Sequence, residues 1–424
     1  MNEIEIFVGD AAIEQLSSLL AARGTSRVTV VADENTHAAL SASVNAALVA
    51  AGIHVTSVVL PGDVIADERT MVQVFIRADA DANLLLAVGS GTITDIVRFA
   101  AHVMRLPFIV MPTAPSMDGY ASSGAPLVVE GVKRTYMVEA PVAVISHLPT
   151  LCHAPRPMIA AGLGDMLGKY SSLADWQLGV LLWNEPYHAA AARRTRIALE
   201  SCVERAEQLR TAEPAAITAL INGLLESGLS IRDAGHSRSA SGLEHHVSHY
   251  WEMKLLAEGR PAVLHGAKVG VATLAAASLW RVVRRMREVE FKERLAAARL
   301  PDPTEEAARL RAVFGPAADG VIVDHHAFLE LDRARFAALV ARAAGSWADI
   351  QRIAAQVPEP AELRATLTAT GGPVTVRELG LTDEEGDLGL RYGHYLRNRF
   401  TVAKLAWLLG LYGEPTTIAA LWKG

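Results

Sequence analysis

Cysteine is scarce in this sequence, since Cys152 and Cys202 are the only two among 424 residues. Two cysteines cannot form a cysteine-rich zinc site, and their number does not indicate a disulfide framework. An excess of basic residues is also lacking, because the formal net charge is −6. A general nucleic-acid-binding protein normally presents a basic face, so the composition argues against that class. A local phosphate site stays compatible with this charge, because it needs only a few cations.

The sequence also lacks the features that direct a chain to a membrane. Its beginning, MNEIEIFVGDAAIEQ, is acidic and has neither the basic start nor the apolar run of a signal peptide. The longest apolar stretches, such as GVLLW and VATLAAASLW, are too short to span a bilayer. We therefore expect a soluble, cytoplasmic protein with neither a membrane nor a nucleic-acid partner.

The length and the 51% hydrophobic content indicate two domains with packed cores. Six short β-branched runs alternate with helical segments in residues 1–153, and the pattern from residue 154 onward is almost entirely helical. The runs are EIEIFVG, RVTVVAD, HVTSVVLP, NLLLAVGSG, PFIVMPT and PVAVISH. This alternation predicts an α/β domain with a mostly parallel sheet over 1–153. An all-α domain is predicted over 154–424, with a ligand site in the cleft between the two domains. Two strand-like runs around Glu130 predict a hairpin appended to the sheet.

Two features of the first domain suit a dinucleotide. Gly89, Ser90 and Gly91 follow a strand and precede a helix, so the backbone can approach a phosphate at the helix N-terminus. An ordinary strand–turn–helix connection is the alternative, since the spacing G-x-G-x-x-G is not met. Asp33 ends the second strand, where a carboxylate commonly binds the ribose hydroxyls of a dinucleotide. A helix N-cap in the run DENT explains this aspartate equally well.

A polar loop follows the fifth predicted strand in the run MPTAPSMDGYASSGAP. Loops at the carboxyl ends of parallel strands bind ligands in α/β sheets. The polar residues crowded into it are Thr113, Ser116, Asp118, Ser122 and Ser123. The loop is therefore a candidate ligand-binding segment, with a plain surface loop as the alternative.

Four histidines occur within 21 positions of the second domain. If the segment is a helix, His245 and His249 share a face, while His246 points roughly 100° away. His265 begins a further helical run, and Asp165 lies in the apolar run GLGDMLGKY. Imidazoles with one carboxylate form an open three-ligand site for a divalent metal. Histidines that only form hydrogen bonds in a core are the alternative, and spacing alone does not bring Asp165 to His245.

The order of these motifs resembles a known superfamily. GSGTITD, TAPSMDGYASS, GLGDMLGKY, SGLEHHVSHYWEM and HGAKVG occur in the order found in the glycerol dehydrogenase, iron-type alcohol dehydrogenase and dehydroquinate synthase superfamily. Within it, the motifs are most similar to those of the bacterial sn-glycerol-1-phosphate dehydrogenases. The resemblance covers roughly residues 9–271 and implies the dehydroquinate synthase-like fold.

The resemblance also implies roles for individual residues. The metal ligands are Asp165, His245 and His265, and the substrate contacts are Asp118 and His249. The residues implied for the dinucleotide NAD or NADP are Asp33, Gly89, Gly91, Thr92, Ile93, Thr94, Asp95, Thr113, Ala114, Pro115, Ser116 and Ser122. Ser90 departs from the family, which usually has a third glycine there, and a serine fits only if its φ is negative.

The implied reaction is the reversible, NAD(P)H-dependent reduction of dihydroxyacetone phosphate to sn-glycerol 1-phosphate for glycerophospholipid synthesis. The implied cofactors are NAD or NADP and one divalent ion, nickel or zinc, and we expect a homodimer. Lys169 and Arg238 are the candidates for the cation that binds the substrate phosphate. The alternatives are a glycerol or polyol dehydrogenase and a dehydroquinate synthase-like sugar-phosphate cyclase.

Overall fold

The computed structural model describes residues 3–130 and 132–413. Its strands are β1 (Glu5–Gly9), β2 (Arg27–Asp33), β3 (His54–Leu60), β4 (Leu84–Gly89), β5 (Phe108–Pro112), β6 (Gly124–Val129), β7 (Val132–Met137) and β8 (Ala143–His147). Its α-helices are α1 (Ala12–Ala22), α2 (Glu34–Thr36), α3 (Ala42–Ala50), α4 (Glu68–Arg77), α5 (Gly91–Met104), α6 (Leu148–Cys152), α7 (Arg156–Trp183), α8 (Ala189–Val203), α9 (Ala206–Leu209), α10 (Pro214–Ala234), α11 (Leu243–Ala257), α12 (His265–Arg285), α13 (Glu288–Ala297), α14 (Pro303–Phe314), α15 (Ala318–Asp324), α16 (His326–Leu329), α17 (Arg333–Gly345), α18 (Trp347–Ala354), α19 (Pro360–Ala369), α20 (Asp383–Tyr392) and α21 (Val402–Leu408).

The chain divides into two compact units. The first unit comprises Met1–Gly162 and Glu204–Arg232, and the second comprises Leu163–Val203 and Asp233–Gly424. The first unit thus takes in part of the chain, containing α9 and most of α10, that lies beyond residue 154. The division into domains at residues 153 and 154 stays a prediction.

The first unit is built on a six-stranded sheet with the order β1-β8-β5-β4-β2-β3. Every neighbouring pair of strands is parallel. The central strand β4 is buried at each residue, as expected for a parallel strand covered on both faces. The edge strand β1 is partly exposed. The predicted α/β class, the parallel sheet and all six predicted strands are confirmed.

The predicted hairpin is also present. Strands β6 and β7 pair in antiparallel fashion, and Glu130 in the connection has a positive φ of 54°. The hairpin forms a two-stranded sheet of its own rather than an extension of the six-stranded sheet. An isolated bridge joins Val128 of the hairpin to Asp67, the N-cap residue of α4.

The second unit is helical, as its alanine- and leucine-rich sequence predicts. Large aromatic side chains, including Trp251 and Trp280, are fully buried in its core. The prediction that no apolar stretch is long enough to cross a bilayer needs correction. By length and composition alone, α10 and α12 are long and apolar enough to do so. However, 89% of the apolar 18-residue segment of α12 is buried inside the structure, and 56% of the corresponding segment of α10 is buried. Core helices of folded proteins have the same properties, so these two helices are weak evidence for a membrane span.

Candidate active site

The carboxyl ends of β2, β4 and β5 bring the predicted dinucleotide residues to one edge of the sheet in the first unit. Gly89 ends β4, and its carbonyl accepts a hydrogen bond of 3.2 Å from the N–H of Thr113, which follows β5. A Cβ at Gly89 would lie 2.5 Å from Cβ of Ile93, so only glycine allows this close turn from strand to helix. The turn therefore brings the first N–H groups of α5 to the edge of the sheet.

Ser90 is the N-cap of α5, with φ −86° and ψ −160°. Because this φ is negative, a serine adopts it without strain, and the departure from the family's third glycine does not distort the turn. The Ser90 carbonyl accepts two bonds of 3.0 Å from Thr94, one from its N–H and one from its hydroxyl. The first-turn N–H groups of Gly91, Thr92 and Ile93 belong to a 14-residue helix, whose N-terminus favours an anion such as a pyrophosphate.

Asp33 is the N-cap of α2, as one of the two sequence interpretations predicts. Its Oδ1 accepts a hydrogen bond of 2.8 Å from the N–H of Thr36, and the Thr36 hydroxyl accepts one from the Asp33 N–H in return. This capping box fixes the carboxylate at the end of β2, next to β4 in the sheet. A contact with a ribose stays a prediction, which the position at the strand end supports.

The predicted ligand loop after β5 is buried and internally braced. The Tyr120 hydroxyl donates to the Ala114 carbonyl at 2.6 Å and lies 3.2 Å from the Ser116 hydroxyl. The Ser122 hydroxyl donates to the Gly119 carbonyl at 3.0 Å. The structure therefore gives this segment a defined shape, whereas a plain surface loop would be exposed. Its buried predicted residues are Thr113, Ala114, Ser116, Asp118 and Ser122, together with Pro115.

Asp118 lies in this loop with its carboxylate held from α10. Its Oδ2 accepts a hydrogen bond of 2.8 Å from the hydroxyl of Ser227, which is fully buried. Asp118 itself is 8% exposed, so its orientation is set by packing rather than by solvent. A fixed, buried carboxylate is suited to accept hydrogen bonds from substrate hydroxyls.

Three predicted metal ligands converge in the second unit. Asp165 comes from α7, His245 from α11 and His265 from the first position of α12, and their ligand atoms lie within 4.8 Å of one another. His245 Nε2 is 3.5 Å from Asp165 Oδ1. Two imidazole nitrogens and one carboxylate oxygen are a donor set that suits a divalent transition metal and leaves further positions open.

An outer partner orients His245 in the way that is typical of metal-binding histidines. Its Nδ1 lies 2.8 Å from Glu244 Oε1, which also accepts a bond of 2.7 Å from the N–H of Gly242. Histidine ligands usually donate their second ring N–H to a carboxylate, which fixes the tautomer. The geometry therefore leaves Nε2, which faces Asp165, as the ring nitrogen that could bind a metal, and the residues fit a metal site.

The electrostatics of Asp165 and His265 suit metal ligands, and those of His245 couple metal binding to loss of a proton. Burial alone raises the pKa of Asp165, but the Lys169 ammonium and the two imidazoles hold it well below its usual range. Burial lowers the pKa of His265 to about 4, so this ring is neutral at physiological pH. Burial also lowers the pKa of His245, yet its hydrogen bonds with Asp165 and Glu244 outweigh burial and raise it. A carboxylate and neutral imidazoles are the forms that bind metals, so a metal at His245 would have to displace the ring proton that its two carboxylate partners favour.

The other two histidines of α11 differ in their surroundings. The ring of His249 has its centroid 5.6 Å from that of His265 and 6.2 Å from that of His245. His246 is 1% exposed, and both of its ring nitrogens are buried without a partner among the described residues. Burial lowers its pKa well below the usual value, so the ring is neutral. As the helical spacing predicts, His249 shares the face of His245, and His246 stands apart.

The two candidate phosphate cations differ in their bonding. Lys169 is fully buried, and its Nζ donates to Asp165 Oδ1 at 2.8 Å and to the Ala240 carbonyl at 3.1 Å. Arg238 is partly exposed, and its Nε donates to Glu185 Oε2 at 2.6 Å. Within the part of the chain that the structure describes, the two Nη groups of Arg238 have no protein partner. Lys169 is thus engaged by the carboxylate of a candidate metal ligand, whereas Arg238 keeps donors for a ligand.

Sequence reasoning missed two residues that support the site, Glu244 and Ser227. Glu244 was not singled out, although an acid directly before a candidate ligand histidine is a usable signal for an outer partner. Ser227 carries no such signal, because a serine in a helical pattern gives no indication of which carboxylate it will meet.

The fold is found in solved structures of one class. The family model for iron-containing alcohol dehydrogenase matches residues 7–155. Glycerol dehydrogenase from Schizosaccharomyces pombe aligns with a TM-score of 0.62 and 16% identity, covering 100% of this chain and 92% of that one. A probable glycerol dehydrogenase from Sinorhizobium meliloti 1021 gives 0.60 and 15%, with 100% and 99% coverage. At such low identity these structures establish the fold alone, which is that of the iron-containing alcohol dehydrogenase class.

Sequence relatives narrow the class to a family. Glycerol-1-phosphate dehydrogenase (NAD(P)+) of Geobacillus stearothermophilus is 38% identical over 405 residues, which are 94% of this chain and 91% of the relative. The protein of the same name in Bacillus licheniformis is 38% identical over 412 residues, with 96% and 89% coverage. The chain therefore belongs to the glycerol-1-phosphate dehydrogenase family, a family of oxidoreductases. The resemblance drawn from the sequence motifs is confirmed.

Proposed function

We propose that the protein catalyses the reversible, NAD(P)H-dependent reduction of dihydroxyacetone phosphate to sn-glycerol 1-phosphate at a divalent metal ion. The observation that carries this proposal is the convergence of Asp165, His245 and His265 from three helices in a chain of this family. The product is a backbone for glycerophospholipids, so the reaction feeds lipid synthesis.

The three ligands would hold the metal, and the carboxyl edge of the sheet in the first unit would hold the dinucleotide. When bound, the metal ion acts as a Lewis acid toward a ketone oxygen, and the reduced nicotinamide is the hydride donor. The three ligands would supply one negative charge, from Asp165. A divalent ion bound by them would therefore keep a net positive charge, which a Lewis acid needs. Nickel and zinc both accept this donor set.

The remaining predicted residues would bind and orient the dinucleotide and the substrate. The N-terminus of α5, from Gly91 to Asp95, would receive the pyrophosphate after the Gly89 turn, with Asp33 near the adenosine ribose. Thr113–Ser116 and Ser122 would line the same dinucleotide. Asp118, held by Ser227, would accept hydrogen bonds from the substrate hydroxyl groups. His249 would hold or deliver the proton that the product alkoxide requires, because an imidazole exchanges protons near neutral pH.

Arg238 is the better candidate for the substrate phosphate. Lys169 is fully buried and its ammonium contacts Asp165, so its removal would change the metal cluster itself. Arg238 is partly exposed and keeps both Nη groups available, and a guanidinium binds phosphate oxygens in a bidentate manner. Glu185 fixes the Arg238 side chain through Nε and leaves the Nη edge for the ligand.

We also propose a homodimer in the cytoplasm with a small-molecule substrate and no nucleic-acid or membrane partner. The acidic net charge supports the absence of a nucleic-acid partner, and the burial of α12 supports the absence of a membrane partner. The homodimer rests on the resemblance to the family.

The test compares NADH and NADPH oxidation by the metal-analysed protein with dihydroxyacetone phosphate and with dihydroxyacetone. We expect a lower KM for the phosphate ester, activity lost with chelator and regained with nickel or zinc, and sn-glycerol 1-phosphate as the product. A preference for unphosphorylated dihydroxyacetone would point to a polyol dehydrogenase. Consumption of neither ketone by the metal-loaded protein would refute the proposal.

A further inference from the structure

Arg98 is a charged side chain in the interior of the first unit. It lies on α5 and is 0% exposed. Burial lowers the pKa of its guanidinium, while the neighbouring Asp95 carboxylate raises it, and an arginine stays protonated in such surroundings. A buried charge is destabilising unless it is paired and hydrogen-bonded, so the contacts of Arg98 indicate what it is there to hold.

The guanidinium makes four hydrogen bonds, one within α5 and three that join α5 to the segment from Gly119 to Gly124. Nη1 donates to Asp95 Oδ1 at 2.7 Å and to the Gly124 carbonyl at 2.8 Å. Nη2 donates to the Gly119 carbonyl at 2.5 Å and to the Tyr120 carbonyl at 3.2 Å. Two of these four acceptors are main-chain carbonyls of the ligand loop, and a third is the carbonyl of Gly124, where the loop enters β6. The side chain therefore fixes the backbone of that loop against the helix.

The bonded segment carries both functional side chains of the loop. Asp118 directly precedes Gly119, and Ser122 lies between the carbonyls at Tyr120 and Gly124. The Ser122 hydroxyl also donates to the Gly119 carbonyl, so it shares an acceptor with Arg98. The fourth acceptor belongs to Asp95, which is one of the residues proposed to line the dinucleotide.

We propose that Arg98 is a positioning residue that sets Asp118 and Ser122 in register with the dinucleotide-binding end of α5. This inference rests on the proposed function for the roles of Asp118 and Ser122. Loss of the guanidinium releases the carbonyls of Gly119 and Tyr120. The Asp118 carboxylate, proposed to contact the substrate, and the Ser122 hydroxyl, proposed to contact the dinucleotide, then lose their fixed positions relative to α5. A lysine cannot replace it, because one ammonium has three donors at a single nitrogen and cannot reach four acceptors spread over a fork.

The experiment compares Arg98→Lys and Arg98→Ala with the wild type and with Arg284→Ala as a matched control. Arg284 makes the same type of bonds in the second unit, to the carbonyls of Ala354 and Val357 and to a carboxylate. The readouts are Tm, the Kd of NADPH from nicotinamide fluorescence, and kcat and KM with dihydroxyacetone phosphate. Added guanidinium ion tests whether the missing group itself restores function to Arg98→Ala.

We expect the Arg98 variants to show a Kd for NADPH and a KM for dihydroxyacetone phosphate raised at least about tenfold, the effect of losing hydrogen bonds from a charged group. Arg284→Ala should lower Tm by less, because its side chain is 23% exposed, while both constants stay as in the wild type. Guanidinium ion should restore part of the NADPH affinity of Arg98→Ala. If that variant does not fold, Arg98→Lys carries the comparison.

Wild-type NADPH affinity and KM in a folded Arg98→Lys protein would overturn the inference, as would equal losses in Arg284→Ala. The fluorescence titration separates this result from failure of the proposed function. A wild type that turns over no dihydroxyacetone phosphate would refute the function, while weaker NADPH binding by the Arg98 variants alone would still support the positioning role toward the cofactor.

Discussion

Replacing Gly164 by alanine should disable the metal site without touching a ligand. Gly164 precedes Asp165 on α7, and Gly266 follows His265 on α12. An added Cβ at Gly164 would lie 2.4 Å from the Gly266 carbonyl oxygen, where ordinary van der Waals contact begins at 3.4 Å. The two helices must therefore separate by about 1 Å at the point where each presents a ligand.

A shift of about 1 Å is large on the scale of metal coordination, since ligand distances are held to within about 0.2 Å. We expect the affinity for nickel or zinc to fall at least about 100-fold, because Asp165 and His265 can no longer reach one ion together. Overpacking of a core typically costs about 1–3 kcal/mol, so the variant should still fold.

The assay measures metal content by elemental analysis after dialysis, and affinity by competition with a chromophoric chelator. Gly320→Ala is the matched control, since it also adds a methyl group inside a helix, but that methyl meets nothing within 4 Å. The control should bind metal as the wild type does. A folded Gly164→Ala protein with one ion per chain and wild-type affinity would refute the reasoning from the contact between α7 and α12.

Three further predictions follow from individual side chains. Ser227→Ala removes the hydrogen bond to Asp118, so KM for dihydroxyacetone phosphate should rise about tenfold while the Kd of NADPH stays constant. A KM equal to that of the wild type would show that Ser227 does not orient Asp118. Arg238→Ala should raise KM for dihydroxyacetone phosphate more than for dihydroxyacetone, and equal losses on both ketones would exclude Arg238 as the phosphate cation. Burial lowers the pKa of Lys404 to about 7, against about 10.4 in an unfolded chain. The unfolded state therefore binds more protons between these values, and stability conferred at this position should rise with pH. In urea titrations from pH 7 to pH 9, the wild type should gain stability relative to Lys404→Met; a pH-independent difference would contradict the shifted pKa.

The sheet of the first unit could be predicted from sequence because buried parallel strands are continuous apolar runs bounded by turn residues. The strand ends then located Asp33, Gly89 and Thr113 at one edge, since the carboxyl ends of parallel strands share that edge. Helical spacing likewise gave His245 and His249 a common face. In each case the information lies within a few neighbouring residues.

Other features depend on packing between distant segments, which local patterns do not encode. Asp165 and His245 are far apart in sequence, and only the order of family motifs linked them. One donor to Asp118 is Ser227 on α10, and nothing in an alanine- and leucine-rich helix indicates that Ser227 belongs to the first unit. Lys169 illustrates the same limit, because its spacing suited a phosphate cation but its ammonium contacts Asp165.

The central claim is that Asp165, His245 and His265 form the metal site at which the ketone is reduced. The most direct measurement determines metal content and dihydroxyacetone phosphate-dependent oxidation of NADH and NADPH together for the wild type, His245→Ala and His246→Ala. The two variants remove adjacent buried imidazoles from one helix, of which only His245 faces Asp165. The account predicts one ion per chain and turnover in the wild type, loss of both in His245→Ala, and retention of both in a folded His246→Ala. Metal and turnover retained in His245→Ala, or lost equally in the two variants, would contradict it.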